Sequence, residues 1–203
     1  WNARIPLVAL GTPESDQVRY DLVNLDATAA LDAIFRELYD QGKRNLAFVL
    51  GRMSESLFAQ IREYVPATLK DIPLHFDAAQ DLYCATENGV SQAEDGYRIG
   101  REIFARPSSI DAIMTWHGVQ AYGIARAAQE AGRRIPEDVA LIVRDNSWVT
   151  KYATFPVAAI DQRLDRMAAK SFAMIAERLR DKEWLEPFRH IVIAERADRK
   201  SVV

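Results

Sequence analysis

The chain has 203 residues, of which 49% are hydrophobic and 27% are charged, and its formal net charge is −3. This composition is typical of a globular protein with one large α/β domain or two small lobes, and it excludes a disordered chain. No apolar run approaches the roughly 18 residues that a membrane-spanning helix needs. The acidic balance also argues against a nucleic-acid-binding face, so we expect any DNA contact to come from another segment.

Short apolar strands and amphipathic helices alternate from the start of the chain. The first predicted strand is IPLVAL at residues 5–10, which ends before Gly11 and Pro13. A helix is predicted next within residues 26–42, where apolar side chains recur at helical spacing at Leu31, Ile34, Phe35 and Leu38. Gly42 is typical of the residue that ends such a helix.

The alternation continues through the rest of the sequence. Strands are predicted at residues 45–50, 81–86, 111–116, 139–144, 157–160 and 190–195. Helices are predicted at about 55–64 (stopping near Pro66), 94–105, 119–132 and 164–179. This order implies right-handed crossovers and a mostly parallel sheet that helices cover on both faces.

Loops that follow the predicted strands are where we expect a ligand. In open parallel sheets, ligands bind beyond the carboxyl ends of the strands, because loops and helix N-termini converge there. The rule selects the loops at 11–14, 51–55, 117–118, 145–147 and 161–163. From these loops and the adjoining strand ends, the candidate contacts are Asp145, Arg144, Trp116, His117, Arg52 and Gln162.

Each candidate also has an ordinary structural interpretation. Trp116 can fill a core or a lobe interface, and His117 can help to start the following helix. Arg52 and Arg144 can be solvated or paired with acids, which is the commoner fate of an arginine. Asp145 can be a helix cap for the turn at DNSW.

Catalytic and metal-binding patterns are poorly represented in the sequence. It has no GxSxG, P-loop or HExxH motif, and its three histidines are too far apart in sequence to suggest a metal set. The two glycines of GYRIGRE, residues 96–102, lack the context of a dinucleotide fingerprint, so we interpret them as a site of close helix packing. We therefore expect neither a cofactor nor a metal ion.

Several blocks of the sequence resemble the regulatory domain of the lactose/galactose repressor (LacI/GalR) family of bacterial transcription regulators. The most specific block is GRRIPEDVALIVRDN, residues 132–146, which matches the family pattern GxRVPxDVSVxGFDD. Further blocks are IPLVAL, EDGYRIGREIFARPSSIDAIMTW, FPVAAIDQ and the ending IVIAERADRKSVV. Together they cover nearly the whole chain in the family's order.

The resemblance implies an α/β, two-lobed type I periplasmic-binding-protein-like fold with parallel sheets flanked by helices. Its three interlobe crossings are expected near Gly42, Ala158 and Phe188. Residues 1–41 and 159–187 would form an incomplete N-terminal lobe, and residues 42–158 and 188–203 would form the C-terminal lobe. Family members carry a helix-turn-helix headpiece and further strand and helix units ahead of the segment that matches here.

The resemblance further implies a cytoplasmic homodimer that senses a small polar effector between its lobes and thereby controls operator binding through the headpiece. Asp145 matches the first aspartate of the family's GFDD motif, which accepts hydrogen bonds from the effector, and Gln162 matches a polar position after a crossover. In contrast, Arg144 replaces an aromatic residue, and His117 with Gly118 replaces an Asn-Asp pair. The arginines favour a phosphorylated sugar, a carboxylate-bearing metabolite or a base over a neutral sugar.

Two other functions are compatible with this fold class. One is a periplasmic solute-binding protein that delivers its ligand to a transporter, and the residues encoded before Trp1 would discriminate it from a regulator. The other is an enzyme on the same sheet topology. The strand ends show no paired nucleophile and base, which argues against an enzyme.

Overall fold

A computed structural model describes residues 6–11, 20–85, 92–106, 110–181, 189–194 and 196–198. The strands are β1 (Val8–Leu10), β2 (Asp21–Asp26), β3 (Leu46–Leu50), β4 (Leu82–Cys84), β5 (Ala112–Thr115), β6 (Ala140–Val143), β7 (Ala158–Asp161), β8 (His190–Ala194) and β9 (Arg196–Asp198). The helices are α1 (Thr28–Asp40), α2 (Glu55–Thr68), α3 (Gln92–Ala105), α4 (Gly118–Glu130), α5 (Trp148–Lys151) and α6 (Leu164–Asp181). The order confirms the predicted α/β class.

The chain divides into two compact units. The first unit comprises Trp1–Ala29 and Gln162–Arg196, and the second comprises Ala30–Asp161 and Ala197–Val203. None of the described helices is both long enough and apolar enough to cross a membrane.

The first unit contains a three-stranded sheet in the order β1-β2-β8, in which both pairings are parallel. Helix α6 covers one face of this sheet. Its buried side chains Met167 and Met174 pack around Val23, and partly buried side chains from the strands surround this cluster at Val8, Leu25, Ile191 and Ile193.

The second unit contains a six-stranded sheet in the order β4-β3-β5-β6-β7-β9. Strands β3 to β7 pair in parallel where they are neighbours. Every residue of β3, β5 and β6 is buried, which is the pattern of central strands covered on both faces. Their side chains form the core with Ile99 and Ile103 of α3 and Ile124 of α4.

The unit boundaries differ from the predicted lobes at two elements. Strand β8 was predicted to join the C-terminal lobe, but it pairs with β2 along five aligned positions, from Leu22 with His190 to Asp26 with Ala194. Helix α1 was predicted to belong to the N-terminal lobe, but Phe35 on its buried face packs edge-on against Phe48 of β3, with ring centroids 6.1 Å apart. These two placements differ from the lobes predicted with crossings near Gly42 and Phe188, and Phe188 itself lies outside the described residues.

The observed boundaries fall next to Ala29, Asp161 and Arg196. The boundary after Asp161 lies three residues from the predicted crossing at Ala158. Strand β2 and the short helix α5 were not predicted at all. Helix α2 also continues past its predicted stop, with Pro66 inside it and its end at Thr68.

Helices α3 and α4 pack closely, as the glycines of GYRIGRE predict. A Cβ on Gly96 would overlap the backbone carbonyl of Gln120, and a Cβ on Gly123 would overlap the backbone at Ala93 and Tyr97. The missing side chains let the two helix backbones approach, which confirms the packing interpretation. This contact fixes the position of α4, whose first residues border the candidate site.

Candidate ligand-binding site at the carboxyl edge of the six-stranded sheet

Parallel pairing brings the ends of three central strands to one edge of the six-stranded sheet. Val49 of β3 aligns with Thr115 of β5, and Thr115 aligns with Val143 of β6. The residues that follow these positions are therefore neighbours across the sheet edge. They include most of the predicted ligand contacts.

Arg144 and Trp116 form a stacked pair at this edge. The guanidinium carbon of Arg144 lies 4.2 Å from the centroid of the Trp116 ring, and both side chains are half-buried. The backbone holds the pair in register, since the amide of Arg144 donates to the carbonyl of Thr115 at 2.9 Å. The amide of Trp116 donates to the carbonyl of Val49 at 2.8 Å. A cation over an indole face is stabilised by roughly 0.5 to 2 kcal/mol.

Asp145 links two helix starts. Its Oδ2 accepts a hydrogen bond from the amide of Gly118, the first residue of α4, at 2.9 Å. Its Oδ1 accepts one from the hydroxyl of Ser147 at 3.0 Å, and the hydroxyl of Thr150 lies 3.3 Å from the same oxygen. A carboxylate in this place also complements the positive end of the α4 dipole. Asp145 thus caps a helix, but it caps α4 rather than the DNSW turn.

The contact between Asp145 and α4 explains Gly118. A Cβ at position 118 would lie 2.7 Å from Asp145 Oδ1 and 2.9 Å from Thr150 Oγ1. Any larger residue would push the carboxylate and the hydroxyl away from the helix start. The His117-Gly118 pair, which departs from the family pattern, is therefore matched to the position of Asp145.

His117 occupies the N-cap position of α4, with extended backbone angles. Its imidazole lies against Gly51, where a Cβ would come 2.5 Å from Nε2. Burial lowers the pKa of His117 below its ordinary value of 6.5, the carboxylate of Asp145 opposes this shift, and the charge of Arg144 adds to it. The lowered pKa favours the neutral imidazole at neutral pH.

Gln120 is a member of the site that sequence reasoning missed. It is fully buried, its Nε2 donates to the carbonyl of Leu50 at 3.2 Å, and its Oε1 accepts from the amide of His117 at 3.1 Å. The side chain thereby fixes the loop after β5 to the end of β3. A signal was present, because a glutamine at the third helical position is typical of a capping box.

The two remaining predicted contacts lie in other loops. The side chain of Arg52 is exposed in the loop between β3 and α2, two residues before the N-cap residue Ser54. Gln162 is half-buried and belongs to the first unit, between β7 and α6. The structure therefore brings Trp116, His117, Arg144 and Asp145 together.

Within the described part of the chain, no three His, Cys, Asp or Glu side chains are grouped so that they could hold a metal ion. Cys84, at the end of β4, is half-buried, and its thiol donates to the carbonyl of Gly51 at 3.3 Å. Burial raises the pKa of this thiol, which disfavours the reactive thiolate. The groups gathered at this edge can stack, carry charge and form hydrogen bonds.

Comparison with known proteins identifies the kind of domain that carries this edge. The family described as "Periplasmic binding protein-like domain" matches residues 35–202. Catabolite control protein A of Staphylococcus xylosus is 27% identical over 184 residues, which cover 90% of this chain and 53% of that protein. The HTH-type transcriptional regulator CelR of Thermobifida fusca is 25% identical over 191 residues, covering 92% and 54% respectively. The chain spans about half the length of these curated relatives.

Solved structures with the same fold include several regulators. A LacI family transcriptional regulator from Enterococcus faecium with bound ribose superposes with a TM-score of 0.72 at 21% identity, covering 96% of this chain and 69% of that one. A structure of a LacI family regulator from Sanguibacter keddieii gives a TM-score of 0.76 at 23% identity, covering 97% and 71%. CelR and both of these solved structures are named as transcription regulators. This chain therefore belongs to the periplasmic binding protein-like domain family.

Proposed function

We propose that the chain is the effector-sensing part of a LacI-type regulator and that a small polar metabolite binds at the carboxyl edge of the six-stranded sheet. The observation that carries the proposal is the convergence of Arg144, Trp116, His117 and Asp145 at the ends of β5 and β6. Arg52 extends this set as an exposed cation in the neighbouring loop. Gln162, in the first unit, stays a predicted contact because it directly follows β7 and because it matches a polar position of the family.

Physical features of the edge support a polar ligand with some apolar surface. The indole of Trp116 offers a flat apolar surface, and the guanidinium of Arg144 offers directed N–H donors. The imidazole of His117 is held neutral by burial, so it can donate or accept a hydrogen bond. Among the fold neighbours, one regulator is described with bound ribose and CelR is described in a complex with cellobiose.

Regulation is proposed to follow from ligand occupancy. A ligand that prefers one conformation of the domain shifts the population toward that conformation. In a cytoplasmic homodimer with a separate helix-turn-helix segment, this shift would change the affinity for operator DNA. The net charge of −3 agrees with DNA contacts made by another segment.

A thermal-shift screen tests the sensing function. Phosphosugars, sugar acids, neutral sugars and nucleobases would be added singly to the chain, and at least one is expected to raise its melting temperature in a saturable way. Trp116→Leu should weaken that ligand about tenfold or more, because the stacking surface is lost. Phe172→Leu, at an exposed aromatic residue of α6, should not change the affinity. Binding by none of the compounds, or equal losses in the two variants, would contradict the proposal.

A second measurement tests the regulatory part. In the full-length regulator, the ligand found in the screen is expected to change operator affinity, as measured by fluorescence anisotropy at fixed salt concentration. The Trp116→Leu regulator should bind the operator but should no longer respond to that ligand concentration. A ligand that binds without altering the affinity for DNA would contradict the regulatory proposal, but it would still support the proposed binding site.

A further inference from the structure

We propose that Arg144, stacked on Trp116, binds an anionic group of the ligand, either a carboxylate or a phosphate. This assignment rests on the effector site proposed above. Asp145 then acts as a positioning residue that holds the loops around this pair. This assignment differs from the role of principal ligand acceptor that the family resemblance implies for Asp145.

Both carboxylate oxygens of Asp145 already accept hydrogen bonds from groups of the protein itself. A carboxylate oxygen accepts about two hydrogen bonds. Oδ2 receives the amide of Gly118 at 2.9 Å, and Oδ1 receives the hydroxyl of Ser147 at 3.0 Å. The hydroxyl of Thr150 lies 3.0 Å from the carbonyl oxygen and 3.3 Å from Oδ1 of the same residue. If Asp145 turned toward a ligand, the start of α4 would lose its acceptor.

Asp145 directly follows Arg144 in sequence, so its hydrogen bonds also fix the backbone that carries the guanidinium. On the other side of Arg144, its own amide is bonded to Thr115, the residue before Trp116. The stacked pair is thus held from the sheet by the β5 to β6 ladder and from the loop by Asp145. Such support by neighbouring groups is what keeps a binding residue within a narrow range of positions.

Cations and carboxylates both lie at this edge, and Arg144 is the cation that stacks on Trp116. Arg144 and Arg52 are cations of the loops after β6 and β3, and Arg163 follows β7 in the first unit. The half-buried imidazole of His117 has a lowered pKa. The carboxylate of Asp145 is directed at the positive end of α4, and Glu55 is exposed on the first turn of α2. Half-buried Asp161 ends β7, the neighbour of β6. An arginine that stacks on an aromatic ring presents its planar edge of N–H donors, which matches the two oxygens of a carboxylate or phosphate.

An NMR titration with matched probes tests the anion contact. Acetate and inorganic phosphate are added at constant ionic strength to the 15N-labelled chain, with acetamide as the neutral counterpart of acetate. The indole N–H of Trp116, assigned with Trp116→Phe, and the Nε–H of Arg144, assigned with Arg144→Lys, are followed. Both anions are expected to give saturable shifts in the millimolar range, and acetamide should give none. The stronger of the two responses distinguishes a carboxylate site from a phosphate site.

Variants test whether the anion is bound by the guanidinium of Arg144 or by positive charge elsewhere on the protein. Arg144→Gln is expected to lower the apparent anion affinity at least tenfold, and Arg144→Lys should retain part of it because the charge remains without the planar stack. Arg62→Gln, at an exposed arginine of α2, should leave it unchanged. Absence of any saturable anion response, or equal responses in the wild type and Arg144→Gln, would overturn the proposal.

The role of Asp145 is tested with its two variants. In Asp145→Asn, the amide oxygen can still accept from Gly118, so anion affinity should not fall and the amide resonance of Gly118 should stay close to its wild-type position. In Asp145→Ala, the Gly118 resonance should move and anion affinity should fall. The Gly118 resonance reports the hydrogen bond between Asp145 and Gly118. A general loss of stability would not shift this resonance in the folded protein.

The affinity of the variants for the metabolite found in the thermal-shift screen tests the roles of Arg144 and Asp145 separately from the sensing function. If Asp145→Asn weakens that metabolite tenfold while Arg144→Gln has no effect, the roles assigned to the two residues are wrong and the sensing function stands. If the screen finds no ligand, the sensing function fails, whatever the small anions do.

Discussion

Among single residues, His117 links the candidate site to solution pH. Its folded-state pKa is lowered by burial, so the unfolded chain binds a proton more readily than the folded chain does. Stability contributed by the neutral imidazole is therefore complete above the unfolded pKa, near 6.5, and is lost as the pH falls from there through the lowered folded pKa.

We predict that His117→Gln removes part of the stability loss between pH 7.5 and pH 5.5. Urea denaturation of both proteins at the two pH values measures the difference. A glutamine can keep a hydrogen-bonding group near Gly51 without titrating, which makes it a suitable replacement. An identical pH dependence in the two proteins would show that His117 does not contribute to it.

Asp21 and Arg178 form a buried ion pair in the first unit. Asp21 is 2% exposed and Arg178 is 7% exposed, and the guanidinium donates to both carboxylate oxygens, at 2.7 Å and 2.9 Å. The amide of Arg189 adds a third hydrogen bond to this carboxylate at 2.8 Å. Burial tends to raise the pKa of Asp21, and the hydrogen bonds from Arg178 and Arg189 outweigh it, so that the net pKa is lowered.

We predict that Arg178→Met destabilises the protein by about 3 to 5 kcal/mol, because it removes the bidentate partner of a buried carboxylate and leaves only the more distant guanidinium of Arg189, at 3.6 Å. Arg36→Met is the matched control, since Arg36 forms an exposed pair with Asp32 one helical turn away. That change should cost only about 0.3 to 0.5 kcal/mol. Equal unfolding free energies for the two variants, measured in urea, would contradict the assignment.

At the scale of elements, the contact between α3 and α4 sets the position of the first turn of α4, which borders the candidate site. Replacing a glycine by alanine within a helix normally stabilises it by roughly 0.5 to 1 kcal/mol. Gly123 is expected to show the opposite sign, because a Cβ there would overlap the backbone of α3.

Gly123→Ala should therefore destabilise the protein by about 1 to 3 kcal/mol, and Gln129→Ala, at an exposed position of the same helix, should change stability little. Thermal denaturation measures both. The α4 start should also shift, so the amide resonance of Gly118 is expected to move in Gly123→Ala alone. A stabilised Gly123→Ala protein would show that the helices can separate at no cost.

For the whole molecule, the net charge bears on DNA binding. With a charge of −3, residues 1–203 are expected to bind duplex DNA without sequence preference and weakly at physiological salt. Fluorescence anisotropy with an operator and a scrambled duplex measures this. Nanomolar binding that distinguishes the two duplexes would place a DNA-reading surface within these residues.

Local patterns in the sequence predicted most elements of the fold. Buried central strands such as β3 and β6 appear as unbroken apolar runs, and α1 and α6 appear as stripes at helical spacing, because burial of one face imposes the period. Strand β2 was missed since Asp21 and Asn24 interrupt its apolar residues. Asp21 is tolerated there because Arg178, 157 residues away in sequence, and Arg189 both bond to its carboxylate.

The candidate site also has some features that the sequence predicts and others that depend on contacts between distant residues. By itself, the sequence determined the fold class, the family resemblance and the loops that hold Trp116, His117, Arg144 and Asp145, because strand order and strand ends follow from local periodicity. Only the tertiary structure decided that β8 joins β2, that Gln120 donates to the carbonyl of Leu50, and that Asp145 is bonded to Gly118. These contacts join residues that are distant in the chain, and their free energy depends on burial and distance, which no local pattern encodes.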